Sequence, residues 1–221
     1  MSEKLLLPPK HALPEKYRGR KIFFLAGPIR GGGMWQIRAT ELLWKIFEGC
    51  VVCDPTRWDD AETHEKDPQT RQRIVAHRAH AIGEKNVARY PAQAPWEEEH
   101  MNLASKQGRL LFWMERESKK YHRPKSEGVY AQDTRVEAGI WIQKLKADPA
   151  LRISFGGHWD IDSHGQETKK SFGGMNFIVY YLTGVKDRRR LYNGEVAHPN
   201  LVRAESVENF IAEATKETGR A

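Results

Sequence analysis

The chain has 221 residues, of which 39% are hydrophobic and 29% are charged, and its formal net charge is +7. This composition excludes a wholly disordered chain, and since no apolar run approaches the roughly 20 residues of a membrane span, we expect no membrane partner and a cytoplasmic location. The positive charge favours an anionic partner, which is either a phosphorylated small molecule or, less favoured, a nucleic acid.

The first part of the chain predicts an arm followed by a strand, a loop and a helix. Residues 1–20 are rich in proline and charge, which indicates an extended arm rather than a folded unit. Residues 21–26 form a continuous apolar run, as in strands that are covered on both faces. A glycine-rich turn follows, and apolar residues in helical spacing then continue to Gly49. A second strand ends at Asp54.

The polar segment 56–94 predicts a long connection with one possible helix in it. A connection of this length within a compact domain is typical of a functional flap or of a disordered segment. Two of its histidines, His77 and His80, lie three residues apart, and we expect them to be exposed loop residues rather than metal ligands.

The second half of the chain alternates helices with strands. We predict helices over 95–107, 134–147, 175–184 and 205–217, and strands over 109–114, over 151–157 and near 200–203. This alternation predicts an α/β fold with a five-stranded parallel sheet that is covered by helices on both faces. No boundary interrupts residues 21–221, which we therefore expect to form a single domain.

The cysteines do not indicate a cofactor. Cys50 and Cys53 form a lone C-x-x-C inside a predicted strand, and we expect both to be small apolar core residues. The stretch 158–165 matches only part of a calcium-binding loop, so we expect no metal there.

Two short motifs more than a hundred residues apart indicate a ligand site. One is the strand and Gly-Pro turn KIFFLAGPI, at residues 21–29, and the other is TRVEAGIW, at residues 134–141. In the second motif, Thr134 and Glu137 have the spacing of a capping box, which predicts Thr134 as the N-cap and Glu137 in the opening turn of a helix. An acid at a helix start that faces a strand-end turn is typical of the ligand sites of α/β sheets.

The motifs FLAGPI, VVCDPTRW, PWEEEHMNLASKQGRLLFW and DTRVEAGIW occur in this order over roughly residues 21–160. In this ordered set, the chain resembles the nucleoside 2-deoxyribosyltransferase family and its nucleotide N-glycosidase relatives. The resemblance implies a flavodoxin-like three-layer fold and a glutamate nucleophile, which corresponds to Glu137 here. It also implies a nucleoside or nucleotide substrate, no metal or organic cofactor, and a homo-oligomer.

Glu137 also suits this chemistry on physical grounds. Cleavage of an N-glycosidic bond develops positive charge on the sugar ring, so a carboxylate beside the anomeric carbon can stabilise that charge or bond to it. The partial positive charge at a helix N-terminus favours the ionised form that a nucleophile needs. A capping box explains the same residue structurally, and the two interpretations are compatible.

Other acids are candidates for protonating the departing base, which leaves more easily when it is protonated. Glu97 lies at the start of its predicted helix, and Asp133 precedes Glu137 by four residues. The alternative for Glu97 is a solvated helix start, and for Asp133 it is a helix cap.

Six residues are candidates for substrate contacts: Gly27, Pro28, Ile29, Asp54, Trp96 and Trp113. The Gly-Pro turn would let the backbone approach the sugar closely, or it is simply a tight turn. Asp54 would hold a sugar hydroxyl or the base, or it forms a turn before Pro55. The two indole rings would stack on the base, although core packing is the simpler explanation of Trp113.

The sequence departs from the family pattern at Gly108, where relatives often carry an aspartate. The loop 56–94 and the run Arg188–Arg190 also lack a clear counterpart in the family. The turn Arg30–Gly33 is a candidate phosphate contact, although it lacks the signature of a P-loop.

Three functions stay open at this point: transfer of the sugar to another base, hydrolysis of a 5′-nucleotide, and a non-catalytic nucleotide-binding or DNA-associated module.

Overall fold

The computed structural model describes residues 4–8, 13–17, 19–29, 31–82, 92–118, 130–158, 174–185 and 196–216. Five strands form one parallel sheet in the order β1-β3-β2-β4-β5. The strands are β1 (Lys4–Leu6), β2 (Ile22–Ala26), β3 (Val51–Cys53), β4 (Arg109–Met114) and β5 (Ile153–Gly157). Val52 of β3 lies opposite Leu5 of β1 and Phe23 of β2.

The strands are buried along almost their whole length, and only Lys4 is partly exposed. Continuous apolar strands of this kind occur where helices cover both faces of a parallel sheet. The predicted α/β class with a five-stranded parallel sheet is therefore confirmed, and the sheet and its flanking helices are those of a flavodoxin-like three-layer sandwich.

One of the five strands differs from the prediction. The segment near 200–203 contributes a single bridge, in which Phe155 donates its N–H to Asn200 and accepts from Val202. The fifth strand is β1, which lies in the segment that the sequence assigned to an extended arm. The assignment of that segment was wrong for residues 4–6, because Leu5 and Leu6 are completely buried in the sheet.

Seven α-helices are found among the described residues: α1 (Trp35–Ile46), α2 (Trp58–His64), α3 (Pro68–Arg78), α4 (Gln93–Gln107), α5 (Gln132–Ala147), α6 (Gly174–Thr183) and α7 (Val207–Ala214). Two of them, α2 and α3, lie in the segment that was expected to be a long connection with one helix. The start of α3 is fixed by Asp67, whose carboxylate accepts from the Thr70 N–H at 3.1 Å. No helix in these parts of the chain is long and apolar enough to cross a bilayer.

The chain divides into two compact units. The first unit comprises residues 1–25 and 36–110, and the second comprises residues 26–35 and 111–221. In the first unit, the rings of Phe24 and Trp96 pack 5.9 Å apart. In the second, Phe112 stacks on Phe155 at 5.0 Å. A single domain over residues 21–221 stays a prediction.

Candidate active site at the strand ends

The strand order locates the place where a sheet of this type binds ligands. From β2 the chain moves to β3 on one side, and it later returns to β4 on the other side of β2. Ligands of open α/β sheets bind outside the carboxyl ends of the strands at such a reversal. Gly27 follows β2 and Glu115 follows β4, and both belong to the second unit.

The turn after β2 is tightly packed. A Cβ atom at Gly27 would lie 2.4 Å from the carbonyl oxygen of Trp113 and 2.5 Å from the ring of Trp35. The indole N–H of Trp35 donates to the Pro28 carbonyl at 3.1 Å. Gly27 and Pro28 are buried, and Ile29 is half-buried. Packing therefore explains why position 27 is a glycine, and Ile29 is the member of the turn that offers surface to a ligand.

An acid and a base meet just beyond the ends of β4 and β5. Oε1 of Glu115 lies 2.9 Å from Nε2 of His158, and Oε2 accepts from the indole N–H of Trp113 at 3.0 Å. The Glu115 and His158 side chains are 22% and 13% exposed, so each keeps some surface open to solvent. This carboxylate–imidazole pair can hold a proton donor in a fixed position at the edge of the sheet.

The contacts of Glu115 also set its charge state. Burial raises the pKa of Glu115, but the hydrogen bonds from His158 and Trp113 outweigh burial, so the pKa lies below its ordinary value. Glu115 is therefore ionised at neutral pH and orients the imidazole of His158.

The start of α5 is anchored beside this pair. Tyr130 is completely buried, and its hydroxyl donates to the Glu115 carbonyl at 2.8 Å. Ala131 then takes a left-handed conformation, with φ 54°, and serves as the N-cap, so the helix begins at Gln132. The expected capping box was wrong, because Thr134 is the third residue of the helix and not its N-cap.

Glu137 is consequently the sixth residue of α5 and lies in its second turn. It is half-buried, whereas Asp133, one turn earlier, is exposed. Five residues of helical rise place Glu137 about 7.5 Å along the axis from Gln132. Residues four apart share a face of a helix, and Cα–Cβ bonds tilt towards its N-terminus, so Glu137 lies on the same face of α5 as Asp133.

No family model, curated protein or solved structure matches this chain. The resemblance to the nucleoside 2-deoxyribosyltransferase family therefore stays a prediction.

Asp54 lies in the first unit and is engaged entirely within the protein. It is completely buried, and Oδ1 accepts from the Thr56 N–H at 2.9 Å, which is the turn that the Asp-Pro pair predicted. Oδ2 accepts from the Trp58 indole at 2.7 Å and lies 3.1 Å from Nε2 of His77. These contacts attach α2 and α3 to the end of β3 and occupy both carboxylate oxygens that were expected to contact a sugar.

The carboxylate of Glu97 is also hydrogen-bonded within the first unit. Its carboxylate accepts from Nε2 of Gln93 at 2.6 Å, and the same amide group donates to the Pro55 carbonyl at 2.9 Å. The amide oxygen of Gln93 accepts from Arg57 at 2.7 Å. Gln93 therefore ties the start of α4 to the loop after β3, and the carboxylate of Glu97 helps to hold Gln93 in place.

The two candidate stacking residues lie in the core. Trp96 and Trp113 are both 0% exposed, so neither indole ring has a face open to a base. Trp96 packs on His100, and Trp113 packs on Phe210 and His158. Core packing is thus the role of Trp113, as the simpler explanation predicted, and of Trp96 as well.

Several predictions fall outside the described residues, including those on Arg30, on Arg188–Arg190 and on most of 158–165. Within the described ranges, no group of three acidic, histidine or cysteine side chains is placed to hold a metal ion. Sequence reasoning missed Glu115, and it considered His158 only as part of a calcium-like loop. The signal was available, because each is the first polar residue after a buried strand.

Proposed function

We propose that this chain cleaves the N-glycosidic bond of a nucleoside or nucleotide through Glu137 and transfers the sugar to another base. The observation that carries the proposal is the anchoring of α5, through Tyr130 and Glu115, at the strand reversal of a parallel sheet. Together with the N-terminal tilt of helical side chains, this anchoring supports a half-buried carboxylate beside a ligand cleft.

In the proposed first step, a carboxylate oxygen of Glu137 bonds to the anomeric carbon of the sugar. The carbon–nitrogen bond breaks, its electron pair stays on the base, and the base takes up a proton. In the second step, a nitrogen of an acceptor base attacks the same carbon, its proton passes to the group that protonated the first base, and the bond to the Glu137 carboxylate breaks. Water in place of the acceptor base would give hydrolysis.

His158 is our proposed proton donor to the departing base. Its contact with Glu115 at 2.9 Å fixes the ring at the end of β5, and its 13% exposure leaves it open to a ligand. Asp133 stays a second candidate because it shares the face of α5 that carries Glu137. Glu97 is a weaker candidate, since its carboxylate is bonded to Gln93.

The alternative, hydrolysis of a 5′-nucleotide, is supported by the glycine turn before α1. Gly31 and Gly33 have φ values of 77° and 71°, a conformation that can turn backbone N–H groups towards an anion. The Gly31 carbonyl accepts from the Ser118 N–H, which fixes this turn next to the loop after β4.

The decisive experiment incubates the protein with nucleosides and 5′-monophosphates, with and without a second free base. Released base and exchanged nucleoside are separated by chromatography. Exchange supports transfer, and release without exchange supports the nucleotide hydrolase. Absence of both products across the panel would reject the enzymatic proposal and favour a non-catalytic binding module.

A matched pair of variants tests the role of Glu137. Glu137→Gln keeps the size of the side chain and should lower turnover at least about 1,000-fold, since it removes the nucleophile. Glu213→Gln changes an exposed glutamate on α7 and should keep full turnover. A sugar adduct on the peptide that contains Glu137, trapped by acid quenching and found by mass spectrometry, would identify the attacking residue directly.

We also propose a homo-oligomer in the cytoplasm. Val136 and Ile140 lie one turn apart on α5 and are 58% and 52% exposed, which supports a contact surface for a second copy. Cys50 and Cys53 are free thiols, as expected in a reducing compartment. Light scattering of the purified protein tests the oligomer, and a monomeric mass at micromolar concentration would reject it.

A further inference from the structure

A second candidate site lies in the first unit, in a cleft between α1 and α3. The cleft has a volume of about 270 Å³, enough for a small molecule, and its walls include Glu41, Trp44, Lys45, Arg73, His77 and His80. We propose that this cleft binds the phosphate group of a small phosphorylated molecule. The proposal depends on neither Glu137 nor glycosidic cleavage.

His77 is the central residue of the cleft. It is only 4% exposed although it lines the wall, and the expectation of an exposed loop histidine was wrong. The Asp54 carboxylate lies 3.1 Å from Nε2 and accepts a hydrogen bond from the N–H of that nitrogen, which fixes the ring. Nδ1 has no hydrogen-bond partner among the described residues. A buried, oriented imidazole therefore has one nitrogen left to bind a ligand.

Trp44 supplies a second unused group. Its Nε1 atom is buried and has no hydrogen-bond partner within the described ranges. The ring lies 6.4 Å from that of His77 and 5.0 Å from that of His80, so the indole belongs to the same wall. Buried donors in proteins are normally paired, and an unpaired one requires an explanation such as a bound molecule.

The charges around the cleft favour an anion. Arg73 and Lys45 contribute two positive charges, and Glu41 contributes one negative charge. Glu41 already lies 3.5 Å from Arg38 and 3.9 Å from Arg73, so an incoming anion would compete with it for Arg73. The net effect is a modest positive field in front of the buried His77.

Phosphate fits these groups better than carboxylate does. Nδ1 of a neutral His77 accepts a hydrogen bond, and Nδ1 of a protonated His77 donates one. A phosphate monoester has its second pKa near about 6, so at neutral pH it is mainly a dianion with three acceptor oxygens, and only the minor monoanion carries a P–OH donor. A carboxylate at neutral pH has a single negative charge and two acceptor oxygens. Guanidinium and ammonium groups are also the usual partners of phosphate oxygens.

Calorimetric titration of the full-length protein with inorganic phosphate and with ribose 5-phosphate tests the proposal, at constant ionic strength and with ribose as the uncharged reference. We expect saturable binding of both phosphates and none of ribose. Arg73→Gln should weaken binding about threefold or more, and Glu41→Gln should tighten it by a similar factor, because the changes remove an attractive and a repulsive charge.

The control is Arg71→Gln, which removes the same charge from α3 at an exposed position whose partner is Glu62. Equal weakening by Arg71→Gln and Arg73→Gln would show only a loss of general positive charge and would overturn the site. Absence of saturable phosphate binding to the wild-type protein would overturn it as well. Glu137→Gln should leave this binding unchanged, which separates the outcome from that of the proposed catalytic reaction.

Discussion

Gly108 is the position where the packing of the first unit leaves no room for a side chain. A Cβ atom there would lie 2.0 Å from the carbonyl oxygen of Ile22, 2.6 Å from its nitrogen and 2.7 Å from its carbonyl carbon. All three are backbone atoms of β2, so no rotamer change relieves the clash and the strand itself must move. We therefore expect Gly108→Ala to lower the free energy of unfolding by at least about 3 kcal/mol, the upper end for overpacked sites.

This loss is measurable by thermal unfolding. For a chain of this size, each kcal/mol lowers Tm by roughly 2–4 °C, so Gly108→Ala should lower it by about 6–12 °C. Gly184→Ala is the control, because Gly184 has φ 71° and no atom within 4 Å of the new Cβ. It should show only the cost of a left-handed residue, about 1 kcal/mol. If the Gly108→Ala protein has the same Tm as the Gly184→Ala protein, the predicted steric clash at Gly108 is refuted.

One alkylation experiment and two substitutions test the packing and the charges of the two units. Burial raises the pKa of Cys50 to about 12 and that of Cys53 well above its ordinary value, so neither thiol should react with iodoacetamide at about pH 8 until the protein unfolds, as mass spectrometry will show. Because folding lowers the pKa of Glu115, its carboxylate stabilises the fold above its unfolded pKa, and this contribution is lost as the pH falls through the folded pKa. Glu115→Gln should therefore lower stability to urea at neutral pH, and it should reduce the loss of stability as the pH falls below the ordinary glutamate pKa of about 4.3. Trp58→Phe removes the indole donor 2.7 Å from the buried carboxylate of Asp54 and should cost at least about 2 kcal/mol in urea unfolding.

Each of these predictions has an outcome that contradicts it. Alkylation of Cys50 in the native protein at the rate of a free thiol would mean that the strand opens readily. Parallel stability curves of the wild-type and Glu115→Gln proteins across the acid range would remove the proposed role of the folded-state pKa. For Trp58→Phe, unchanged stability would show that the Asp54 carboxylate finds another donor. Glu213→Gln, on the surface of α7, serves as the common reference for the glutamate changes.

The buried strands were predictable because a strand that is covered on both faces has a nearly continuous apolar sequence. The run 109–114, which is apolar after Arg109, predicted β4 with its observed bounds, since the whole strand is covered. The three leucines at 5–7 gave no such signal, because a strand of three residues is too short to be told from an apolar patch in an arm. The stretch near 200–203 has strand-like composition but forms one bridge, and strand pairing is decided by tertiary context.

The start of α5 shows why a local pattern misplaced the N-terminus of this helix. The T-R-V-E spacing predicted Thr134 as the N-cap, but a long-range bond from Tyr130 to the Glu115 carbonyl fixes the chain earlier. That bond joins residues 15 positions apart and has no local sequence signature. The same holds for Asp54, whose turn was predictable from Pro55 but whose contact with His77 spans 23 positions.

The shifted start of α5 changes the physical argument for Glu137. The helix dipole acts within the first turn, where Asp133 lies, and there it stabilises an ionised group by about 0.3–1 kcal/mol. Asp133 is exposed, however, and at 4 Å two unit charges interact by only about 1 kcal/mol in water, against about 4 kcal/mol near a protein surface. In the proposed reaction, a half-buried Glu137 would therefore gain more from the positive charge that develops on the sugar than Asp133 gains from the dipole. Burial and position, rather than the helix terminus, support Glu137 over Asp133 as the proposed nucleophile.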